Sequence, residues 1–336
     1  MNTILSVQNL NIFTESSEKK IKIVENVNFE LKKGKTLALI GESGCGKSIT
    51  ANCILKLFSP FEKLQMDGKI IYENQNLLSL DEKTLQSIRG NEISMVFQDP
   101  LSALNPTIRI GNQIKEVMRA HQKISNFECE QRTLELLSQV GIHDPYLRMN
   151  QFPHEFSGGM RQRVMIAMAV ACNPKILIAD EPTTALDVTI QAQILNLLKQ
   201  LQAKYGLSIL LITHDFGVVA EMADFVHVMY AGKIIEKGTA EDIFYNPAHP
   251  YTKALLNAMP RHTNKKISVM KPIEGSAPPP EARPLGCIFH PRCPYAMNIC
   301  AEKIPEEYHF DTQLHSACCH LWDPKAKQQL SIYKEG

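Results

Sequence analysis

One glycine-rich segment constrains the fold of this chain more than any other feature. Residues 41–48 read GESGCGKS, follow the apolar run Thr36–Ile40 and precede a predicted helix from Lys47 to about Leu57. A strand, this turn with the spacing G-x-x-x-x-G-K-S, and a helix together match a phosphate-binding loop. Backbone N–H groups converge there on one small volume, and the positive end of the helix also favours an anion. The chain is therefore predicted to bind ATP or GTP.

The eight residues of this segment and the following Ile49 are the predicted nucleotide contacts. The Lys47 ammonium is expected to reach the β- and γ-phosphates, and the Ser48 hydroxyl is expected to bind Mg²⁺. A chance glycine-rich turn is the alternative, but the strand before it and the helix after it argue against chance. The predicted contacts are Gly41, Glu42, Ser43, Gly44, Cys45, Gly46, Lys47, Ser48 and Ile49.

Composition and charge narrow the class of protein. The chain has 336 residues, 44% of them hydrophobic, and a formal net charge of +1, which is typical of a globular protein with a proper core. It has no long block of one charge sign, so a nucleic-acid partner is not expected. Apolar stretches such as residues 164–172 are too short to cross a membrane, and residues 1–10 lack the pattern of a signal peptide. A cytosolic protein is expected, which would act at a membrane only through an integral partner.

The order of apolar patterns predicts an α/β fold with a largely parallel core sheet. Short apolar runs within residues 3–40 indicate strands, and helical periodicity begins at Ile110. Strands and helices alternate again from Lys175, as expected where parallel strands are buried between helices. The predicted divisions are a nucleotide-binding body at residues 1–260, a helical subdomain within it at about 100–172, a proline-rich linker at 261–284 and a small irregular cysteine-rich module at 285–336.

Two adjacent carboxylates end the apolar strand Lys175–Ala179. Phosphoryl transfer at a phosphate-binding loop needs an acid that holds Mg²⁺, and Asp180 is placed to do so, through water. Glu181 would then polarise the attacking water as general base. An isolated Asp-Glu pair is more often a solvated strand end, but the buried strand and the upstream loop favour catalysis here.

Two further polar residues follow predicted strands. Gln98 comes after the strand Ile93–Phe97 and would reach Mg²⁺ or the attacking water. His214 follows the strand Ile209–Thr213, near the expected position of the γ-phosphate. Each residue taken alone would be read as structural or as part of the surface.

A second glycine pair opens another predicted helix. Ser157, Gly158 and Gly159 begin the segment SGGMRQ, with Ser157 as the expected N-cap. A capped helix start is the simple interpretation, but two glycines at a helix N-terminus also make an anion site. One nucleotide can use both this site and the loop at residues 41–48 only if two chains face each other.

Six segments of this sequence together resemble the ATP-binding-cassette ATPases over roughly residues 1–260. In order, they are GESGCGKS, FQDP, FSGGMRQR, ILIADEP, TALD and THD. The resemblance implies a P-loop cassette fold with an antiparallel N-terminal β-subdomain and a helical insertion, and it implies ATP and Mg²⁺ as cofactors. Phe156 stands where this family usually has Leu, which is an apolar exchange.

This resemblance also implies roles for single residues. Two cassettes would sandwich ATP head to tail, so that Ser157 and Gly159 contact the γ-phosphate bound by the opposite chain. Asp187 would lie in the loop that couples the two sites, and His214 would sense the γ-phosphate. Phe13 is the candidate for stacking on adenine.

The tail of the chain resembles that of the dipeptide and oligopeptide importer subgroup. HPYTKALL at residues 249–256 precedes GCIFHPRCPYAMNIC and SACC. Four thiolates suit an iron–sulfur cluster or zinc, although neither common zinc spacing is present. The subgroup resemblance favours a [4Fe–4S] cluster on Cys287, Cys293, Cys300 and Cys318. The alternatives are Cys319 in place of Cys318, and cysteines that only pack.

The expected function is that of an importer ATPase at the cytoplasmic face of the cell membrane. Its expected partners are a second cassette (a related chain or a copy of itself), two membrane permease subunits and an extracytoplasmic peptide-binding protein. By resemblance, the loop at residues 99–106 would contact the permease. Nickel, haem precursors and antimicrobial peptides are alternative solutes. A non-transport cassette ATPase and a metal- or redox-sensing module are alternative functions.

Overall fold

Strands and helices alternate along the computed structural model, which describes residues 2–16, 19–59, 62–184, 186–259, 273–310 and 314–326. The strands are β1 (Thr3–Ser16), β2 (Lys19–Lys32), β3 (Thr36–Ile40), β4 (Leu64–Tyr72), β5 (Gln75–Asn76), β6 (Ile93–Val96), β7 (Ile176–Asp180), β8 (Ser208–Thr213), β9 (Phe225–Tyr230), β10 (Lys233–Thr239), β11 (Glu307–His309) and β12 (Ser316–Cys318). The helices are α1 (Lys47–Ile54), α2 (Glu82–Ile88), α3 (Pro100–Ala103), α4 (Ile110–His121), α5 (Asn126–Gln139), α6 (Pro145–Arg148), α7 (Gly158–Val170), α8 (Val188–Tyr205), α9 (Phe216–Met222), α10 (Ala240–Tyr245), α11 (Pro250–Asn257) and α12 (Asn298–Glu302).

The larger sheet has the strand order β11-β12-β10-β9-β3-β8-β7-β6. Strands β9, β3, β8, β7 and β6 run parallel, and β10, β12 and β11 extend one edge in antiparallel fashion. Strands β3, β7 and β8 are buried along their whole length, because both faces of the sheet are covered. This burial explains their unbroken apolar sequences. The predicted parallel core sheet is confirmed.

A smaller antiparallel sheet, with the order β2-β1-β4-β5, packs on one face of the larger sheet. Successive residues of β3 point to opposite faces of the larger sheet. Leu37 and Leu39 therefore pack against the smaller sheet, whereas Ala38 and Ile40 pack into the cluster that contains helices α4, α7 and α8. The N-terminal antiparallel sheet agrees with the cassette fold that the resemblance implies.

Helices α4, α5 and α7 pack together beside the parallel sheet. Helix α4 buries Ile110, Ile114 and Met118, which lie on one face at a spacing of four residues. Helix α5 starts with a capping box, in which the Ser125 hydroxyl accepts from the Glu128 N–H and the Glu128 carboxylate accepts from the Ser125 N–H. The helical periodicity read from the sequence is confirmed for this region.

The C-terminal segment is attached to the larger sheet rather than standing apart from it. Strand β12 pairs with β10, with Ala317 opposite Glu236. The buried Glu236 carboxylate accepts from the Ala248 N–H at 2.6 Å and the His249 N–H at 2.9 Å, and lies 3.0 Å from His315 Nε2. These contacts compensate for the cost of burying a charge. Part of the predicted linker, residues 261–272, and the end of the predicted module, residues 327–336, lie outside the described residues.

No helix in the described part of the chain is both long enough and apolar enough to cross a bilayer.

Candidate functional site

The glycine-rich loop joins β3 to α1 and requires glycine at two positions. Gly41 approaches the backbone so closely that an added Cβ would lie 2.1 Å from the Met229 carbonyl oxygen. Gly46 has φ +104°, a conformation that other L-residues rarely adopt. The tight turn directs the chain from an interior strand into a helix N-terminus, as the sequence pattern predicts.

Lys47 lies within this loop and is almost fully buried, with 4% of its surface exposed. Its ammonium donates to the Gly41 carbonyl at 2.8 Å and the Glu42 carbonyl at 2.9 Å. These bonds fold the side chain back over the loop and fix its charge inside the turn. A positive charge and a helix N-terminus therefore occur at one point, which favours a phosphate group.

Loop residues and the strand ends share one cavity of about 760 Å³. It brings together residues that are far apart in sequence, at the carboxyl ends of neighbouring parallel strands, where α/β sheets bind ligands. Ser43, Gly44 and Ile49 line it as predicted, together with Ile23 and Leu255, which the sequence did not single out. The rest of this part of the lining consists of predicted site residues, namely Gly41, Glu42, Gly46, Lys47, Ser48, Gln98, Glu181 and His214.

Asp180 and Ser48 are in direct contact beside the cavity. The Ser48 hydroxyl donates to Asp180 Oδ1 at 2.9 Å. Burial raises the pKa of Asp180, and the negative charge of Glu181 raises it further, while the Ser48 hydrogen bond opposes this change. Hydroxyl and carboxylate oxygens are hard donors of the kind that Mg²⁺ prefers, so these two residues fit the predicted Mg²⁺ site.

Glu181 is surrounded by polar groups. Its carboxylate accepts from Gln98 Nε2 and from the Thr184 hydroxyl, both at 2.8 Å, and Nδ1 of His214 lies 3.2 Å away. Burial alone would raise the pKa of Glu181, but the Thr184 and His214 contacts outweigh it and lower the pKa. Glu181 also has φ +47°, a strained conformation of the kind that clusters at functional sites. The carboxylate is therefore ionised and oriented.

The structure places Gln98 against Glu181 rather than against the Ser48–Asp180 pair. Thr184, which the sequence showed only as part of the TALD segment, is a further contact of Glu181. No local pattern distinguishes such a threonine, because its role depends on the distance between two loop side chains in the folded chain.

The second glycine pair lies outside this cavity. Ser157 caps α7 by accepting from the Met160 N–H at 3.3 Å, which confirms the predicted N-cap. Ser157 and Gly158 are exposed, as is Asp187, whose carboxylate caps α8 through the N–H groups of Thr189 and Ile190. Among the described residues, the cavity at Lys47 is lined by none of these three.

Phe13 is likewise not among the described residues that line the cavity. Its ring packs beneath the ammonium groups of Lys20 and Lys22, at 4.1 and 5.5 Å from the ring centroid. Strand β1 places this ring on the smaller sheet, where cation–π contacts account for its position. The cavity at the loop is instead bordered by Ile23 of β2.

The expected cluster on Cys287, Cys293, Cys300 and Cys318 is not supported. Within the described ranges, no three His, Cys, Asp or Glu side chains lie close enough to hold a metal ion. Burial raises the pKa of Cys319 to about 12, and the neighbouring thiols of Cys287, Cys293 and Cys300 contribute. For Cys318, burial raises the pKa to about 11, and the negative charge of Glu307 raises it further.

Cys318 and Cys319 have different surroundings, because consecutive residues of an extended chain point to opposite sides. Cys318 lines a cavity of about 340 Å³ together with Cys287 and Glu307, whereas Cys319 is not among the described residues that line it.

Comparisons with known proteins agree with this geometry. Residues 24–184 match the family model described as ABC transporter, and residues 235–300 match the one described as Oligopeptide/dipeptide transporter, C-terminal region. The dipeptide transport ATP-binding protein DppD of Bacillus subtilis (strain 168) is 49% identical over 98% of this chain and 98% of its own length. The oligopeptide transport ATP-binding protein OppD of the same organism is 52% identical over 90% of this chain and 84% of its own.

Solved structures show the same fold. The dimeric, post-hydrolysis structure of the ATP-binding cassette MJ0796 bound to ADP and Pi has a TM-score of 0.63 and 29% identity, over 70% of this chain and 98% of that one. CbiO1 from Clostridium perfringens, part of the ABC transporter complex cbiONQ, has a TM-score of 0.61 and 27% identity, over 73% of this chain and 92% of that one. The family models, the two close relatives and the shared cassette fold agree, and the chain belongs to the ABC transporter family of ATP-binding proteins, in its dipeptide and oligopeptide transport group.

Proposed function

We propose that this chain hydrolyses ATP to drive the uptake of dipeptides or oligopeptides through membrane permease partners. The observation that carries the proposal is the ionised, hydrogen-bonded Glu181 in the same cavity as the buried Lys47. A phosphate-binding loop and an ionised, oriented carboxylate that share one cavity suit the transfer of a phosphoryl group to water. The peptide substrate follows from the C-terminal family match and from the names of the relatives.

Each side chain in the cavity has a proposed role. Lys47 and the loop N–H groups bind the β- and γ-phosphates, and the Ser48–Asp180 pair holds Mg²⁺, which supplies charge neutralisation when bound. Glu181 accepts the proton of the attacking water, because its pKa is kept low and its carboxylate is oriented by Gln98 and Thr184. This chemistry leaves ADP and phosphate, with the water proton on Glu181.

His214 is a proposed γ-phosphate sensor. Its ring lies 3.2 Å from Glu181 and borders the same cavity, so one imidazole can contact both the carboxylate and a terminal phosphate. Gln98, which donates to Glu181 from the start of the loop at residues 98–106, can relay the state of the cavity to that loop.

The working unit is proposed to contain two cassettes. Ser157, Gly158 and Gly159 present N–H groups at an exposed helix start, and the exposed Asp187 lies at the start of the neighbouring helix α8. The second cassette, a related chain or a copy of this one, would bring these groups to the phosphates held at Lys47. The dimeric form of the MJ0796 cassette supports this arrangement.

The division of the chain into a cassette at residues 1–260, a linker at 261–284 and a C-terminal extension at 285–336 is also proposed. The extension lies on the sheet edge formed by β10. The complete assembly would include two permease subunits and an extracytoplasmic peptide-binding protein, with this chain at the cytoplasmic face of the membrane.

A metal site in the extension is a separate proposal, for an iron–sulfur cluster on Cys287, Cys293, Cys300 and Cys318, with Cys319 as the alternative fourth ligand. The number of thiols supports it, and Cys287 and Cys318 line one cavity, but the described side chains do not form a metal-holding group. Protein purified without oxygen is expected to contain iron and sulfide, to lose them in Cys318→Ser and to retain them in Cys319→Ser. Loss in Cys319→Ser alone would make Cys319 the fourth ligand, and zinc or no metal would contradict the cluster.

Transport by the assembled complex tests the main proposal. Proteoliposomes with this chain, its permeases and its binding protein should accumulate a labelled dipeptide when ATP is supplied on the cassette side. The Glu181→Gln variant is the matched control and should assemble without uptake. Uptake of Ni²⁺ but not of peptide would overturn the choice of substrate, and ATP turnover by the assembled complex without uptake of any solute would overturn the transport function.

A further inference from the structure

One arginine of the C-terminal extension reaches the phosphate-binding loop. Arg292 ends a single 3₁₀ turn, His290–Arg292, just before Cys293. Its guanidinium forms a two-bond ion pair with the Glu42 carboxylate, with Nη1 at 2.8 Å from Oε2 and Nη2 at 3.0 Å from Oε1. Glu42 is the second residue of GESGCGKS, so this pair joins segments that lie 250 residues apart in sequence.

The arginine is held from several sides. Its Nε donates to the Glu274 carbonyl at 3.0 Å, its Nη1 lies 3.3 Å from the Tyr230 hydroxyl, and the guanidinium lies 5.7 Å from the Tyr230 ring centroid. The Arg292 side chain is only 7% exposed, and that of Glu42 is 28% exposed. A planar guanidinium held in this way presents a fixed pair of donors to a carboxylate, which a lysine would not do.

The backbone of Glu42 is fixed by two other residues. Its N–H donates to the Tyr251 hydroxyl at 3.0 Å, and its carbonyl accepts from the Lys47 ammonium at 2.9 Å. Tyr251 packs with Tyr230 at 4.6 Å and with Phe289 at 5.3 Å between ring centroids. The first turn of the phosphate-binding loop is therefore supported by a cluster to which the C-terminal extension contributes Phe289 and Arg292.

Electrostatics explain why Glu42 needs a partner. A carboxylate in the phosphate-binding loop repels the negatively charged phosphates of a nucleotide, and the repulsion is stronger near protein than in bulk water. Lys47 is the cation directed into the loop, whereas Arg292 pairs with Glu42 from the side of the extension. Neutralisation of Glu42 by Arg292 leaves the charge of Lys47 available for phosphate.

We propose that Arg292 is a positioning residue for ATP binding, which neutralises Glu42 and fixes the first turn of the loop from the C-terminal extension. The extension thus contributes to the ATP site of its own chain. This inference rests on the nucleotide site proposed above at residues 41–48, and it holds whatever solute is transported and whether or not the cysteines bind a metal.

A double-mutant cycle tests the proposal by equilibrium ATP binding and by turnover at saturating ATP. Arg292→Ala is expected to raise the Kd for ATP about tenfold, the effect of one uncompensated charge near the site, while turnover at saturation changes less than about twofold. In the Glu42→Gln background, where the repelling charge is absent, Arg292→Ala should change the Kd little. A merely structural role of Arg292 would give equal effects in both backgrounds.

Lys237→Gln is the matched control. Lys237 forms an ion pair with Glu307 of the extension at 2.9 Å, on strand β10 and outside the loop, so its loss should leave the Kd for ATP unchanged. If Arg292→Ala does not fold, as judged by its melting temperature, Arg292→Lys and the Glu42→Gln, Arg292→Ala double variant serve instead. Arg292→Lys should raise the Kd about threefold, since it keeps the charge but loses the paired donors.

The outcomes separate this inference from the proposed function. A wild-type chain that binds no ATP would overturn the nucleotide site itself. If the wild type binds ATP, any of three results would overturn the role of Arg292 alone. These are an unchanged Kd in Arg292→Ala, equal effects of Arg292→Ala in both Glu42 backgrounds, and an effect of Lys237→Gln equal to that of Arg292→Ala.

Discussion

Two helix N-termini of this chain carry similar glycine-rich sequences but have different surroundings. At α1, the buried Lys47 lies in a cavity whose other walls, including Glu181 and His214, come from the same chain. At α7, Ser157 and Gly158 are exposed, and the Ser157 hydroxyl accepts from the Met160 N–H of its own helix. Both sites offer backbone donors and a positive helix end, but only the first also supplies a lysine and an acid.

The difference shows that two sites with the same local chemistry can have different functions, because the fold places different groups opposite them. An isolated helix end in water binds an anion weakly, because solvent competes for its donors. At α1, other residues of the same chain exclude part of that solvent. At α7, the surface of a second protein chain is needed to exclude it. We therefore expect substitutions at the two sites to affect different measurements.

The largest effect is expected at Glu181. Glu181→Gln removes the general base while keeping a side chain of the same size, so ATP turnover should fall by about 10²- to 10⁴-fold with ATP binding retained. Phosphate release and ATP titration measure the two quantities. Thr184→Ala, which removes one hydrogen bond to the same carboxylate, is the matched control and should have a much smaller effect. Wild-type turnover in Glu181→Gln would show that another group accepts the proton.

Loss of the loop cation should weaken ATP binding more than it affects the chemical step. Lys47→Ala should weaken ATP binding by roughly a hundredfold, the value of charge-assisted hydrogen bonds to phosphate. Equilibrium titration of the isolated chain measures this change. Ser157→Ala, at the other helix start, should leave the same constant unaltered. If both variants lost affinity equally, the two sites would be parts of one intrachain site.

The two glycines at the start of α7 should affect turnover only when two cassettes meet. Gly158→Ala and Gly159→Ala should leave ATP affinity of the isolated chain unchanged and should lower turnover of the assembled pair by about tenfold, because a Cβ would obstruct the approach of phosphate to the N–H groups. Turnover is measured against the concentration of the partner cassette. An unchanged rate in both variants would remove the α7 site from the reaction.

The same two glycines differ in their local space, which gives a smaller effect on stability. A Cβ on Gly159 would lie 2.8 Å from Ile190 Cγ2, whereas one on Gly158 would meet Leu186 only at 4.0 Å. Gly159→Ala should therefore be less stable than Gly158→Ala by about 1 kcal/mol, the typical cost of mild overpacking. Chemical denaturation of the two variants measures the difference, and equal stabilities would show that Ile190 moves away freely.

Local patterns were enough to predict the loop, the parallel sheet and the position of the two acids at a strand end. The left-handed turn at Gly46, the run Ile176–Asp180 and the cap at Ser157 each have a pattern within a few residues of sequence. Their predictions succeeded because turn geometry, two-sided burial and helix capping are local requirements.

Features that depend on remote contacts could not be read from the sequence. Phe13 remains the predicted adenine contact, and only the pairing of β1 with β2 shows that its ring packs under Lys20 and Lys22. Cys318 and Cys319 are adjacent in sequence, and only the folded structure shows that Cys318 shares a cavity with Cys287. The Arg292–Glu42 pair likewise has no signal at either end, since any surface arginine and glutamate look the same in sequence.

The contacts of Glu236 have a consequence for the order in which the chain is made. Its carboxylate is buried in β10, but the groups that bond it, at residues 248, 249 and 315, all lie later in the sequence. A ribosome delivers the last of them 79 residues after Glu236 itself. Until then this charge must stay in water, because burying it with part of its partners missing is costly. The edge of the larger sheet therefore closes only after residue 315 has been synthesised.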